Sequence, residues 1–326
     1  MKFCRYGNTN VEVSRIAFGT WAFSGGWGQF DHEESKAAIR KAFELGINFF
    51  DTAQAYGFGL SERLLGEGLK NEIKAHRQEL ILATKGGLRL LDDGKLVRDS
   101  SAKWLRQGLT DSLKYLGTDY IDLYQVHWPD PNTPFEETAQ TMADFVKEGL
   151  IRFVGLSNYD VAQMMEFGKT VKINSLQPPY HIFRREIEGD ILAYTKKQGI
   201  GVMVYGPMAH GLLAGKMTNR QIFAADDWRS KSKIFNGRIF EQNLADVEEL
   251  KEFSRNRGVT VSQLAIAWTL ANPAVDVAIV GARNPEQIIA TAPAAEVSLT
   301  NADLIEIDKI IKSGSQVIDP SPEGVW

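Results

Sequence analysis

Four ionisable side chains in this sequence are of the types that transfer a proton when they are held together. Asp51, Lys85 and His127 each end a short apolar run, and Tyr56 follows Asp51 closely. Such runs are typical of buried parallel strands, whose carboxyl ends meet at one edge of a sheet or one mouth of a barrel. We therefore expect the four side chains to converge on one site.

Each of these residues alone has a structural explanation. Asp51 could cap the next turn, Tyr56 could be a loop aromatic, and a lone His127 is more often structural than catalytic. The four residues together indicate a shared site, because a lysine at the end of an apolar strand is costly to bury unless it is paired. Asp51 is the acid at the end of the neighbouring predicted strand, so it is the expected partner of Lys85.

The expected pair would change the chemistry of Tyr56. A tyrosine pKa of about 10 is too high for efficient proton exchange near neutral pH. A lysine ammonium about 4 Å away favours the phenolate by roughly 4 kcal/mol at an effective dielectric of about 20. This energy would lower the pKa by at most about 3, before solvent screening. Tyr56 then becomes a plausible acid for a carbonyl oxygen, and because no side chain supplies a hydride, a diffusible nicotinamide is implied.

The elements that must position these residues alternate along the chain. Eight short apolar runs, separated by amphipathic helical patterns, predict a (β/α)₈ barrel or a long doubly wound sheet. No G-x-G-x-x-G follows a strand, and no linker or repeat divides residues 1–326. We therefore predict a (β/α)₈ TIM barrel in one domain. The predicted strands are 16–20, 48–52, 80–85, 121–127, 151–158, 175–177, 202–207 and 278–281.

Three segments do not fit a plain barrel. Residues 3–6 and 11–14 flank Gly7-Asn8 and predict an N-terminal hairpin. Residues 206–243 show no convincing long element, and their six basic and three acidic residues give this loop a charge of +3. The loop is either an anion site or a solvated lid. The tail 317–326 has no helical pattern and either folds over the barrel mouth or extends away from it.

Composition excludes several classes of protein. The 326 residues include 37 Lys and Arg against 41 Asp and Glu, a net charge of −4, which gives no general reason to bind nucleic acid or an anionic membrane. No apolar run reaches the roughly 18–20 residues that span a bilayer. The first residues lack signal-peptide character, Cys4 is the single cysteine, and no Cys/His cluster has metal-ligand spacing. We expect a cytoplasmic, metal-free protein of unknown oligomeric state.

Ordered motifs at the predicted strand ends resemble the aldo-keto reductase family along essentially the whole chain. They are DTAQAYG at 51–57 with Ser61-Glu62, ATK at 83–85, YIDLY at 120–124 leading to His127, and GLSN at 155–158. The resemblance implies a catalytic tetrad of Asp51, Tyr56, Lys85 and His127. Tyr56 would be the general acid, Asp51 and Lys85 would tune it, and His127 would orient the carbonyl.

The same resemblance implies a nicotinamide site. Ser157, Asn158 and Gln177 would hold the carboxamide, and Tyr205 would stack on the ring. The segment 211–216, with Leu212, Gly215 and Lys216, is similar to the part that crosses the pyrophosphate in some branches of the family. This similarity gives the positively charged loop a functional interpretation.

The pattern departs from the family after the eighth strand. Many relatives bind the 2′-phosphate there with a lysine and an arginine, whereas this chain has Gly281 and Gln287. The positions that contact adenine in these relatives are Ala290 and Thr291. Arg283 remains as a cation that either contacts the 2′-phosphate or faces solvent. NADP(H) is favoured by the resemblance, and NAD(H) remains possible.

The substrate is a small carbonyl compound or alcohol in this interpretation. Aromatic residues on the predicted mouth loops would line its pocket or pack beneath the loops: Trp21, Phe23, Trp27, Phe58 and Trp128. Two other functions stay open. One is a nicotinamide-binding accessory protein like the potassium-channel β-subunits, and the other is a hydrolase with a metal on Asp51 and His127.

Overall fold

The computed structural model describes residues 1–311 as a closed barrel with added hairpins. Eight of its strands are parallel and follow one another around the barrel in the order β3-β4-β5-β8-β9-β10-β11-β12, with β12 paired to β3. The predicted (β/α)₈ barrel is confirmed. The strands are β1 (Phe3–Arg5), β2 (Glu12–Ser14), β3 (Ile16–Gly19), β4 (Phe49–Asp51), β5 (Ile81–Gly86), β6 (Leu88–Leu90), β7 (Leu96–Arg98), β8 (Ile121–Val126), β9 (Ile151–Ser157), β10 (Ser175–Gln177), β11 (Gly201–Val204) and β12 (Val277–Gly281).

Helices surround the barrel and begin at residues that satisfy their free backbone amides. The Asp31 side chain accepts from the Glu34 amide at 2.9 Å at the start of α1, and Ser101 does the same for the amide of Trp104 at 3.4 Å in α4. No helix among residues 1–311 is both long and apolar enough to cross a bilayer. The helices are α1 (His32–Glu44), α2 (Leu60–Gly68), α3 (Lys70–His76), α4 (Ala102–Leu116), α5 (Phe135–Lys147), α6 (Val161–Phe167), α7 (Ile191–Gln198), α8 (Gly237–Arg255), α9 (Val261–Ala271), α10 (Pro285–Thr291) and α11 (Asn301–Ile311).

The N-terminal hairpin closes the end of the barrel opposite the strand carboxyl ends. Strands β1 and β2 pair antiparallel, as predicted. Tyr6 follows β1 and packs edge-on against Phe49 at the start of β4, with ring centroids 5.5 Å apart. Its hydroxyl bonds to the Ser175 hydroxyl at the start of β10. The ring also fills the space beside Gly201, where a side chain would clash with it at 2.9 Å.

Two features differ from the expected organisation. Strands β6 and β7 form a second antiparallel hairpin after β5, which the sequence reasoning missed although Asp93-Gly94 is a turn signal. The loop after β11 is shorter than predicted, because α8 begins at Gly237 rather than after Asn243. The glycine at its first position weakens the helical signal. The remaining loop, 206–236, still has five basic and two acidic residues. The predicted tail 317–326 lies outside the described residues.

Candidate active site

A buried ion pair forms the centre of the site. Asp51 ends β4 and Lys85 lies near the end of the adjacent strand β5, so their side chains meet inside the barrel mouth. Lys85 Nζ donates to the two carboxylate oxygens of Asp51 at 2.7 and 2.6 Å and to the carbonyl oxygen of Thr52 at 2.8 Å. Only 1% of Lys85 and 2% of Asp51 is exposed. Each charge therefore compensates the desolvation of the other.

Tyr56 and His127 stand beside this pair. Lys85 Nζ lies 3.4 Å from the Tyr56 hydroxyl, and the rings of Tyr56 and His127 meet edge to face at 5.7 Å. Burial raises the pKa of Asp51, and the charge of Lys85 acts in the opposite direction. Burial, together with the Lys85 charge, holds the pKa of His127 well below its usual range, so its imidazole is neutral. His127 Nδ1 has no hydrogen-bond partner among residues 1–311.

Polar residues from the next strands connect to the tetrad. Gln177 Nε2 donates to Asp51 Oδ1 at 2.9 Å, and Ser157 Oγ donates to the Gln177 carbonyl oxygen at 2.9 Å. Asn158 has a left-handed backbone (φ 63°) and donates to the His127 carbonyl oxygen at 3.1 Å. The Tyr205 hydroxyl donates to Asn158 Oδ1 at 3.0 Å. The residues expected at a nicotinamide ring are thus gathered beside the tetrad.

The sequence reasoning missed one member of this network. Gln125, on β8 inside the barrel, accepts from Gln177 Nε2 at 3.2 Å. It is fully buried. Its signal is a polar residue next to last in β8, where it pairs in register with Lys85 of β5.

A cavity of about 430 Å³ opens at the carboxyl ends of the strands. Part of its wall is Asp51, Tyr56 and His127, and another part comes from the loop after β12 and from α10. The other predicted residues that line it are Trp21, Trp27, Ser157, Asn158, Gln177, Tyr205, Lys216, Gly281, Arg283 and Gln287. Lining residues without a predicted role include Pro207, Met208, His210, Arg229 and Ser262.

Other predicted site residues have different surroundings. Leu212 is buried in the core, and Gly215, with φ 71°, packs against Val261 and Lys251. Phe58 is 42% exposed, and Trp128 lies under the guanidinium of Arg98 at 5.0 Å.

None of these four predicted residues lines the cavity as the described residues form it. Phe23 is also part of the hydrophobic core, where it packs on Phe18 and Phe30.

The mouth of the cavity is bridged by contacts between loops. An isolated antiparallel β-bridge joins Trp27 of one loop to Asp227 of another. The Trp228 amide donates to the Gly26 carbonyl oxygen at 3.2 Å. Arg229 lies over the Trp27 ring at 4.8 Å, and Arg283 Nη2 donates to the Trp27 carbonyl oxygen at 2.6 Å. We call this group of contacts the loop bridge. It joins the loops that follow β3, β11 and β12.

The cavity suits a nicotinamide dinucleotide in charge and in its polar groups. Lys216, Arg229 and Arg283 contribute three cationic side chains to the cavity lining, and such side chains bind phosphate groups. Asn158 and Ser157, with their amide and hydroxyl groups, line the same cavity as Tyr56. No cluster of three or more His, Cys, Asp or Glu within residues 1–311 has metal-binding geometry.

A (β/α)₈ barrel with a buried Asp-Lys pair, a tyrosine and a histidine at its mouth is the arrangement that the sequence motifs implied. The sequence pattern of the Aldo/keto reductase family matches residues 15–312. The chain belongs to this family. It is therefore an oxidoreductase that acts on carbonyl compounds, and its family uses nicotinamide cofactors.

Several known proteins are similar to this chain over nearly their whole length. Aldo-keto reductase YhdN of Bacillus subtilis is 40% identical, with 96% of this chain and 94% of that protein covered. A probable voltage-gated potassium channel subunit beta of Oryza sativa is 30% identical, with 96% and 97% covered. The NADH-specific methylglyoxal reductase of Escherichia coli is 31% identical, with 93% and 96% covered. The solved structure of the glycerol dehydrogenase AKR11B4 from Gluconobacter oxydans has a TM-score of 0.88 and 36% identity, with 98% of both chains covered.

Proposed function

We propose that this enzyme interconverts an aldehyde or ketone and its alcohol, with Tyr56 as the group that exchanges the proton with the substrate oxygen. The observation that carries the proposal is the 3.4 Å approach of Lys85 Nζ to the Tyr56 hydroxyl at the wall of the cavity. A positive charge at this distance favours the phenolate. Tyr56 can then donate a proton to a carbonyl oxygen and accept it again in the reverse reaction.

Asp51 and Lys85 act as one unit in this mechanism. Asp51 accepts two hydrogen bonds from Lys85 and thereby fixes the ammonium beside Tyr56. Because the ammonium remains in place when Tyr56 loses its proton, the site needs little reorganisation during the transfer.

The neutral imidazole of His127 has a different role. Its edge-to-face contact with Tyr56 places it against the same part of the cavity, where a neutral ring N–H can donate to the substrate oxygen. A protonated His127 would be disfavoured by burial and by Lys85. We therefore assign it to orienting the carbonyl group rather than to proton exchange.

The chain's own residues would hold the cofactor, which supplies or accepts the hydride when bound. Ser157 and Asn158 would bind its carboxamide together with Gln177, and Tyr205 would contact its ring. Lys216 and Arg283 would face its phosphates. All six residues line the cavity.

We favour NADP(H) over NAD(H) because Arg283 is anchored at the cavity wall. Its guanidinium is held by the Trp27 carbonyl oxygen, and burial lowers its pKa, so an anion such as the 2′-phosphate would compensate its charge. A relative named as NADH-specific shows that the family contains the other preference. Parallel titrations of the protein with NADPH and NADH, followed by nicotinamide fluorescence, measure this choice directly.

Replacement of Tyr56 tests the mechanism. We expect Tyr56→Phe to lower kcat for carbonyl reduction by roughly 10²–10⁴-fold, the usual contribution of a positioned general acid, while cofactor affinity is retained. Steady-state assays with a panel of aldehydes, ketones and sugars give kcat, and the fluorescence titration gives affinity. Tyr120→Phe is the matched control, because Tyr120 stacks under Arg77 at the opposite end of β8. Normal turnover by Tyr56→Phe contradicts the assignment.

The relative named as a potassium channel subunit supports a second candidate, a nicotinamide-binding accessory protein. This function predicts tight cofactor binding without turnover of any carbonyl in the panel, and co-purification with a partner. Turnover that depends on Tyr56 decides for the enzyme.

A further inference from the structure

The side of β5 that faces away from the barrel axis meets a buried carboxyl group that the proposed chemistry does not use. Glu62 of α2 has no exposed surface, and its Oε1 accepts a hydrogen bond from Thr84 Oγ1 at 2.6 Å. Its other oxygen, Oε2, and the Ser112 hydroxyl are buried without a hydrogen-bond partner among residues 1–311. With the Thr84 hydroxyl as its donor, this carboxyl group has fewer partners than a fully buried charge requires.

Glu62 reaches the active site through β5. Thr84 and Lys85 are consecutive in this strand, so their side chains point to opposite faces. Glu62 holds Thr84 on the outer face, while Asp51 holds Lys85 on the inner face. The strand segment that carries the catalytic ammonium is thus fixed from both sides.

The charged and titratable groups around Glu62 come from three further elements. Asp111 on α4 disfavours the charged form of Glu62, and Lys85 on β5 favours it. Glu62 in turn contributes to the raised pKa of Tyr124 on β8. Burial is the largest effect and raises the pKa of Glu62 to about 7, although Ser112 and Thr84 lie close enough to oppose it in part. The group therefore exchanges its proton near neutral pH.

We propose that Glu62 is a positioning residue for the proton transfer: through Thr84 it fixes β5 beside Lys85, and the proton that it gains or loses sets how strongly Lys85 acts on Tyr56. The proposal rests on the proposed roles of Lys85 and Tyr56. An ionised Glu62 adds a negative charge behind β5, and this charge opposes the effect of Lys85 on Tyr56. A neutral Glu62 leaves the full effect of Lys85, so its protonation favours the Tyr56 phenolate.

The ionisation of Tyr56 measures this coupling without any assay of turnover. The ultraviolet absorbance of tyrosinate, taken as the difference from the Tyr56→Phe protein, gives the midpoint for Tyr56. We expect Glu62→Gln to lower this midpoint by about half a pH unit, because a negative charge is removed. Glu67→Gln on the same helix is the matched control, because Glu67 is exposed and pairs with Lys36 at 3.2 Å. Its midpoint should equal that of the wild type.

The outcomes separate this proposal from the proposed function. A midpoint that is unchanged in Glu62→Gln overturns the coupling, whatever the activity of the protein. A lowered midpoint in a protein that turns over no carbonyl supports the coupling and contradicts the catalytic assignment. Both results are obtained with the same full-length chain.

A measurement on the wild type remains decisive if Glu62→Gln does not fold. Infrared spectra of protein labelled with ¹³C-glutamate distinguish a protonated glutamate carboxyl from the buried Asp51. We expect a glutamate carbonyl band that disappears as the pH rises through about 7. A spectrum with no protonated glutamate band just below this pH overturns the proposal.

Discussion

At the scale of single residues, the position of Lys85 supports the proposed role of Tyr56 as a proton donor. Its ammonium is removed from solvent and has four oxygen neighbours, of which two belong to Asp51, one to the Thr52 main chain and one to Tyr56. The oxygens of Asp51 and Thr52 hold the ammonium in place, and the Tyr56 hydroxyl is the group whose ionisation the ammonium favours. Because the pair is buried, solvent and salt screen it little.

Removing one member of the buried pair should destabilise the protein strongly, whereas replacing both members should destabilise it much less. We expect Lys85→Met to lower the free energy of unfolding by about 3–5 kcal/mol, because Asp51 loses its partner. The double variant Asp51→Asn/Lys85→Met should recover most of this loss and remain inactive. Urea denaturation and the carbonyl assay measure the two effects. If Lys85→Met is as stable as the wild type, Asp51 does not depend on the pair.

Glu62 gives the stability of the protein a pH dependence of defined sign. Its pKa rises from 4.5 to about 7 on folding, so the folded state keeps a proton that the unfolded chain loses. Stability is therefore fully present below pH 4.5 and falls as the pH rises through 7, by up to roughly 3 kcal/mol. We expect Glu62→Gln to gain stability relative to the wild type over this interval. Denaturation at several pH values measures the difference, and a constant difference contradicts it.

The residues at strand ends could be predicted, but those behind them could not. Asp51, Lys85 and His127 were found because parallel strands bring their last residues to one mouth. Gln125 pairs with Lys85 near the end of β8, but the sequence predicts that this strand ends at His127, two residues later. Glu62 has no strand-end signal, since it contacts the site through Thr84.

At the scale of elements, the loop bridge ties separate βα loops together above the cavity. Asp227 is 4% exposed and accepts hydrogen bonds from the Arg229 amide at 3.0 Å and from its guanidinium at 2.6 Å. Arg229 in turn donates to the His210 carbonyl oxygen at 3.2 Å and lies over Trp27. Asp227 thus holds Arg229 in contact with both His210 and Trp27.

Loss of this carboxylate should release the bound cofactor faster. We expect Asp227→Ala to increase the dissociation rate of NADP(H) roughly tenfold, since a hydrogen bond to a charged group contributes about 1.5–3 kcal/mol. Stopped-flow nicotinamide fluorescence measures the rate. The neighbouring Asp226 is exposed, so Asp226→Ala removes the same charge from the same loop and should leave the rate unchanged. Equal rates in the two variants would show that the loop bridge does not retain the cofactor.

Loops were the elements that sequence reasoning described least well. The eight barrel strands follow from apolar runs, but β6 and β7 have only three residues each, and α8 begins at a glycine. Trp21 and Trp27 line the cavity, whereas Phe58 and Trp128 do not among the described residues. Side-chain periodicity does not determine loop conformation, so the four aromatic residues were indistinguishable in the sequence.

At the scale of the whole molecule, the candidate site lies at one end of the barrel and the contacts of the N-terminal hairpin close the other. The tetrad and cavity occupy the carboxyl ends of the strands, and Tyr6 with the N-terminal hairpin closes the other end. The single domain over residues 1–326 stays a prediction beyond the described part of the chain. Within that part, stability and activity should respond to substitutions at different ends.

Tyr6 provides the test of this separation. We expect Tyr6→Ala to lower the free energy of unfolding by about 3–5 kcal/mol, because a buried aromatic ring is removed from a packed site. Values of kcat and KM for the folded protein should not change, since the ring lies at the end opposite to Tyr56. Thermal denaturation and the carbonyl assay give the two quantities. A change in KM without a loss of stability would contradict the separation.

The N-terminal hairpin also has a consequence for the order of events on the ribosome. Tyr6 leaves the exit tunnel early, yet it contacts Ser175 and Gly201, which follow it by 169 and 195 residues. At roughly 5–20 residues per second, the nascent chain waits about 10–40 s before these partners exist. Throughout that interval the hairpin has no barrel to close. The hairpin is thus translated well before the strands that give Tyr6 its native contacts.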